Sequence, residues 1–135
     1  DYAMTTLLAH ITIKPGSEDE FERIMTFMVD STLSVEDGVV RYEYFKGQKP
    51  NFYYCLLSFR DKWAFYDHQN SDHHEGVDFS TVIESISLEY LDPVEGANPL
   101  AKTIDAPLEP HHSDAMVEAG KRYPLTIADW WLPRR

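Results

Sequence analysis

The chain is short of several things, and each shortage excludes something. Its one cysteine, Cys55, rules out an intrachain disulfide framework and points to a reducing, cytoplasmic compartment. No apolar run approaches the roughly 18–20 residues that span a bilayer. Basic residues are scarce: 12 Lys and Arg stand against 23 Asp and Glu, for a net charge of −11. Such a surface repels phosphates, so neither nucleic acid nor an anionic membrane is an expected partner. The start lacks the basic stretch, apolar segment and small-residue site of a secretory leader. Met4 is the expected natural start, with Asp1–Ala3 foreign to the chain. No Gly-rich phosphate loop, G-x-S-x-G elbow, dinucleotide fingerprint or pair of metal-binding cysteines is present, so no cofactor and no metal are expected.

What the 135 residues do contain is 43% hydrophobic and 13% aromatic side chains, enough for one packed domain and too many for a disordered chain. The whole net charge of −11 falls in residues 1–96, whereas 97–135 is neutral and carries five of the eight prolines. This division predicts a compact domain over 1–96. A Pro-punctuated extension over 97–135 then docks on that domain or on a partner subunit.

Thr5–Lys14 alternates Leu7, Ala9, Ile11 and Ile13 with Leu8, His10, Thr12 and Lys14, the pattern of a strand. Pro15-Gly16 ends it. Ser17 and Glu20 have the spacing of a capping box. The helix that follows places Phe21, Ile24, Met25 and Met28 on one stripe and runs to about Glu36, where Asp37-Gly38 stops it. Val39–Phe45 and Asn51–Phe59 read as strands joined by a hairpin-length link, the latter covered on both faces. Asp61 caps a helix to about Asn70. Ser71 caps a further helical segment to about Ser85, and Ile86–Leu91 is the last strand. The order β-α-β-β-α-β is the ferredoxin-like α+β plan. In the extension, Ser113–Gly120 reads as a short helix and Tyr123–Trp131 as partly β-like.

A sheet with helices on one face leaves the other bare, here with Leu8, His10, Phe52 and Tyr54, which predicts a homodimer with its sheets packed together. Among candidate site residues, His68 and His73 flank the break at Ser71. Five residues apart, they lie about 140° off a common face on one helix, but a break can reunite them. Surface or capping roles remain the plainer alternative. His10, mid-strand in apolar surroundings, is expected to be desolvated with a tunable charge, as a base or as a satisfied core histidine. Tyr42, Tyr44, Tyr53 and Tyr54, with Arg41 interleaved, suit a flat aromatic ligand or ordinary strand packing. Phe59 and Trp63 extend that aromatic lining, Trp63 with core packing as the alternative. Cys55 lacks the electropositive setting of a reactive thiolate.

LLAHITIKPG, SEDEFERI, DGVVRYEYF and FYYCLLSFRDKWAFYDHQNSDHH together resemble the antibiotic biosynthesis monooxygenase domain family over about residues 5–95. The most specific element is D-x-x-A-x-x-x-H-x-x-S-x-H, here Asp61, Ala64, His68, Ser71 and His73. The resemblance implies a dimeric α+β barrel with a pocket beside each sheet. It also implies cofactor-independent oxygenation of an aromatic, polyketide-like anthrone or quinol. Members often carry Glu-Arg-Trp where this chain has Leu57-Ser58-Phe59. The same scaffold also serves isomerases, lyases, haem-degrading enzymes and proteins without known activity, so a non-redox acid/base enzyme or a binding protein without turnover stands as the alternative. On the oxygenase reading, His68, His73 or His10 is the base, and Tyr42, Tyr44, Tyr54 and Arg41 orient the substrate oxygens.

Overall fold

The structure is a computed structural model that describes residues 4–135; Asp1–Ala3, read above as foreign, lie outside the described residues. The elements are β1 (Thr5–Ile13), α1 (Glu18–Val35), β2 (Val39–Lys46), β3 (Phe52–Phe59), α2 (Lys62–Gln69), α3 (Asp72–Glu75), β4 (Ile83–Leu91) and α4 (Asp114–Arg122), with 3₁₀ turns at Phe79–Thr81 and Leu132–Arg134. The four strands form one antiparallel sheet in the order β2-β3-β1-β4. This is the ferredoxin-like α+β arrangement.

Strand alternation divides the sheet into an inner and an outer face. Leu7, Ala9, Ile11 and Ile13 of β1 and Tyr53, Cys55, Leu57 and Phe59 of β3 are buried on the inner face. They join Phe21, Ile24, Met25 and Met28 of α1 and Ala64, Phe65 and Tyr66 of α2 in one core. The apolar stripe of α1 is thus the stripe that is buried. The outer face is only partly covered: His10, Phe45 and Phe52 are exposed, and Leu8, Tyr54 and Leu56 are half-buried. β3 is therefore covered on one face, not both.

Three local expectations change. Ser17 makes no side-chain cap on α1. Instead the Glu18 carboxylate accepts the Gly16 N–H at 3.3 Å, so the acids of the first turn act without a capping box. The helix from Ser71 ends after one turn at Glu75, and β4 starts at Ile83, three residues earlier than expected. The run from Val77 to Ser85 holds Val82, Ile83, Thr81 and Phe79, which favour extended structure over a helix. Tyr123–Trp131 contains no strand.

The extension is stitched to the domain. Met116 and Ala119 of α4 enter the core. The Tyr66 and Tyr90 hydroxyls both donate to the Tyr123 carbonyl, at 2.8 and 2.9 Å. Thr103 is fully buried: its Oγ1 donates to the Leu91 carbonyl at 2.6 Å and accepts the Thr6 N–H at 3.1 Å. Arg135 binds the Asp92 carboxylate at 2.8 Å and the Thr103 carbonyl. Trp130 stays 69% exposed while Trp131 is half-buried.

Candidate active site

The last turns of α1 and α2 and the short α3 meet at one carboxylate. Glu36 follows α1 directly and caps it, its N–H donating to the Thr32 carbonyl at 3.0 Å. An acid there faces the negative end of the helix dipole, an unfavourable place unless donors compensate. Two do: Glu36 Oε2 lies 2.8 Å from His68 Nδ1 and 2.6 Å from His73 Nε2. The side chains are 12% (Glu36), 1% (His68) and 10% (His73) exposed.

The break at Ser71 is what unites the two histidines. Ser71 has extended backbone (φ −67°, ψ 153°) and so turns the chain between α2 and α3. Its Oγ donates to the His68 carbonyl at 2.7 Å and accepts the His74 N–H at 3.4 Å. The His68 ring packs against Tyr42 and Phe59, at 4.9 and 5.4 Å between centroids. His74 lies 5.2 Å from it. Burial first, and the neighbouring imidazole of His68 after it, pushes His74 down to about 4, so it is neutral near pH 7.

The other expected site residues divide between two places. Tyr42 and Tyr44 face the core side by side, their hydroxyls 2.9 Å apart, and burial pushes both well above the ordinary tyrosine range. Tyr44 lines a cavity of about 310 Å³ between α1 and the β2–β3 hairpin, together with Phe21, Met25, Val29 and Tyr53. Glu22 lines it as well, accepting the Tyr53 hydroxyl at 2.6 Å. Burial, followed by that carboxylate, raises Tyr53 to about 12. Phe59 is fully buried in the core. Trp63 is half-buried at the start of α2, stacked on His112 of the extension at 3.9 Å.

Arg41, Tyr54 and His10 belong to the outer face and are not brought to this cluster. Arg41 pairs with Glu43 at 3.2 Å. His10 is the clearest correction: its side chain is 45% exposed and its Nε2 meets Glu89 at 2.6 Å, so in the protomer it is a surface hydrogen-bond partner and not a desolvated imidazole. Strand alternation opposes it to the buried Ala9 and Ile11. A second, larger groove of about 1370 Å³ runs along β4, between Ile86, Leu88 and Tyr90 and the extension's Tyr123, Trp130 and Trp131. No imidazole of the cluster lines either cavity. Tyr42 lies between His68 and the Tyr44 wall of the smaller one.

Glu36 and Glu22 escaped the sequence reading. For Glu36 a signal existed: an acid at a helix C-terminus, just before the Asp37-Gly38 stop, opposes the dipole and calls for a compensating partner. Nothing distinguished Glu22 from the other acids of α1.

A one-sided four-stranded sheet with a buried carboxylate–imidazole cluster defines a ferredoxin-like α+β protein. Residues 4–77 match the antibiotic biosynthesis monooxygenase family, more than half of the chain, and the chain belongs to that family. Solved structures agree on the fold. A Pseudomonas aeruginosa protein, PA3566, is 23% identical, with a TM-score of 0.61 over 67% of this chain and 94% of its own. A Caulobacter crescentus protein described as a candidate antibiotic biosynthesis monooxygenase is 21% identical, with a TM-score of 0.65 over 70% and 92%. A similarly described Bacteroides thetaiotaomicron protein is 17% identical, with a TM-score of 0.65 over 72% and 95%. At these identities the likeness is one of fold. No curated protein matches the chain in sequence. The family supports a monooxygenase, and no helix among the described residues is long and apolar enough to cross a membrane.

Proposed function

We propose that this protein is a cofactor-independent monooxygenase of an electron-rich aromatic substrate of the anthrone or quinol type, working from the Glu36–His68–His73 cluster. The observation that carries the reading is the single Glu36 oxygen shared by two largely buried imidazoles. A carboxylate that accepts one ring N–H orients the imidazole, leaves the opposite nitrogen as the base and stabilises the imidazolium formed.

The chemistry balances without a further reductant. Triplet oxygen reacts slowly with a neutral closed-shell phenol or anthrone, and removing the O–H proton of the quinol or the CH2 proton of the anthrone makes an anion that gives oxygen one electron. Recombination forms a peroxide. For the anthrone, loss of water then leaves one oxygen atom on the substrate as a carbonyl and the other in water with both hydrogens of the oxidised CH2; for a quinol, the water takes the one hydrogen of the oxidised ring carbon and one hydroxyl hydrogen. The protein supplies the base, a dry apolar wall and donors for the oxyanion. The 310 Å³ cavity suits one small aromatic, with the Tyr44 hydroxyl, kept protonated by burial, as a neutral donor beside it, and Tyr42, packed on both Tyr44 and His68, is the side chain that must move aside for the imidazole to reach the substrate.

An oxygen electrode with anthrone and a chelator in the buffer tests the reading. Wild type consumes oxygen, and Glu36→Gln, His68→Gln and His73→Gln each lower turnover about 10²-fold or more. Unchanged rates in all three remove the cluster from the base role. A second reading has its own observation: Glu22 lines the cavity directly, so if Glu22→Gln alone abolishes turnover, Glu22 is the base. Product formation without oxygen uptake assigns the chain to isomerase or lyase chemistry, and ligand binding without product assigns it to binding.

The outer sheet face supports a homodimer on the barrel plan. Phe45 and Phe52 are 50% and 38% exposed there, beside half-buried Leu8, Tyr54 and Leu56. Light scattering is expected to give twice the chain mass, and Phe52→Glu with Tyr54→Glu to give a monomer. A monomeric wild type overturns the pairing.

A further inference from the structure

We propose that Glu36, His68 and His73 form a binding site for one divalent first-row transition ion, with Zn²⁺ as its simplest occupant. His68 Nδ1, His73 Nε2 and a Glu36 carboxylate oxygen all lie within 4.8 Å of one another. Two imidazoles and one carboxylate are the donor set that such ions favour, and three protein ligands leave positions for water or substrate.

The three ligands come from three elements and converge on one point. The contacts of 2.8 and 2.6 Å already approach the separation of about 3 Å between neighbouring ligands on an ion bound at about 2.0–2.2 Å. Binding therefore needs side-chain shifts of well under a helical turn. Charge agrees: each imidazole coordinates in its neutral form, with its proton on the other ring nitrogen, and the carboxylate coordinates ionised. The three ligands then carry a single negative charge, with no lysine or arginine paired to them among the described residues. The chain as a whole, at −11, draws cations. With the ion in place the site holds one net positive charge, which a hydroxide in an open ligand position would cancel.

An ion here takes the nitrogens that now face Glu36 and places a proton on the opposite ones, the lone pairs that a base would use. Metal-filled and base-competent states are therefore exclusive, and the metal would switch off the proposed oxygenase. The inference does not rest on that activity, because its primary readout is binding.

The full chain, stripped with a chelator and desalted, is titrated with Co²⁺ under an absorption spectrometer and with Zn²⁺ in a calorimeter. One ion per chain is expected, with visible Co²⁺ bands. Glu36→Gln and His73→Gln are expected to weaken binding at least ~10-fold, while the double variant His111→Gln/His112→Gln in the extension binds as wild type. If a cluster variant fails to fold by circular dichroism, long-range ¹H–¹⁵N spectra of the unsubstituted chain decide. Zn²⁺ must then shift the His68 and His73 ring nitrogens and leave His10 unchanged. Well under one ion per chain, loss of binding only in the His111/His112 variant, or unshifted His68 and His73 resonances would overturn the site. Absent binding with turnover still dependent on His73 removes the metal and leaves the base. Stoichiometric binding with turnover undiminished removes the base and leaves the metal.

Discussion

A methyl group added at Gly38 tests how the cluster is held together. Gly38 is buried two residues after Glu36, just ahead of β2 and against Ala64 of α2. Its backbone is outside the left-handed region, so alanine suffers no conformational penalty there. The obstacle is space. A Cβ at this position would stand 2.5 Å from the Ala64 Cβ, against about 3.5–4.0 Å for a favourable carbon contact. The missing ångström must come from moving the β2 entry away from α2. Overpacking of this kind costs about 1–3 kcal/mol. The same movement separates Glu36, just upstream, from His68, one helical turn beyond Ala64. Urea unfolding of Gly38→Ala should therefore show a loss within that range, accompanied by weakened metal binding. Ala64→Gly alone removes a buried methyl and costs about 1 kcal/mol in helix propensity. The double variant moves the methyl from one side of the contact to the other. It should be more stable than the sum of the single losses predicts by at least about 1 kcal/mol. A Gly38→Ala protein within about 0.5 kcal/mol of wild type, or strict additivity in the cycle, would refute the idea that this contact sets the spacing.

Cys55 supplies a pH dependence. Burial raises its thiol from an ordinary 9.0 to about 12, so the unfolded chain ionises first. The stability this implies is complete below pH 9 and is lost as pH rises towards 12, amounting to about 1 kcal/mol by pH 10. Urea midpoints from pH 8 to 10 should fall more steeply for wild type than for Cys55→Ala, and a thiol reagent at pH 8 should label only unfolded protein. Asp61 caps α2 by accepting the Ala64 N–H at 2.8 Å, so Asp61→Ala should lower stability by about 1 kcal/mol in the same assay, with Asp61→Ser recovering most of it. Phe65 is fully buried beneath Tyr66, Tyr90 and Tyr123, and Phe65→Ala should cost about 3–5 kcal/mol. A loss below 1 kcal/mol would mean that the extension does not seal the core there.

Short-range patterns determined most of the architecture. The alternation in β1, the four-residue stripe in α1, the caps at Asp61 and Ser71 and the stop at Asp37-Gly38 are local consequences of side-chain period and backbone chemistry, and each survives in the fold. So does the suspicion that a break between His68 and His73 restores what a continuous helix would forbid. The alternation of β1 also placed His10 opposite Ala9, but it could not tell which face water reaches. That depends on which side the helices occupy, a choice the whole sheet makes at once. Arg41 and Tyr54 were separated from Tyr42 and Tyr44 for the same reason. Glu36 is the instructive omission. It lies 32 residues from His68 and 37 from His73, and no local pattern connects positions so far apart. The ends of α1 and α2 meet only because both helices pack on one side of the same sheet, with Gly38 thin enough to let them close. The chemistry of the cluster was thus decided by packing, while the helices and strands that carry it were already written in the order of the residues.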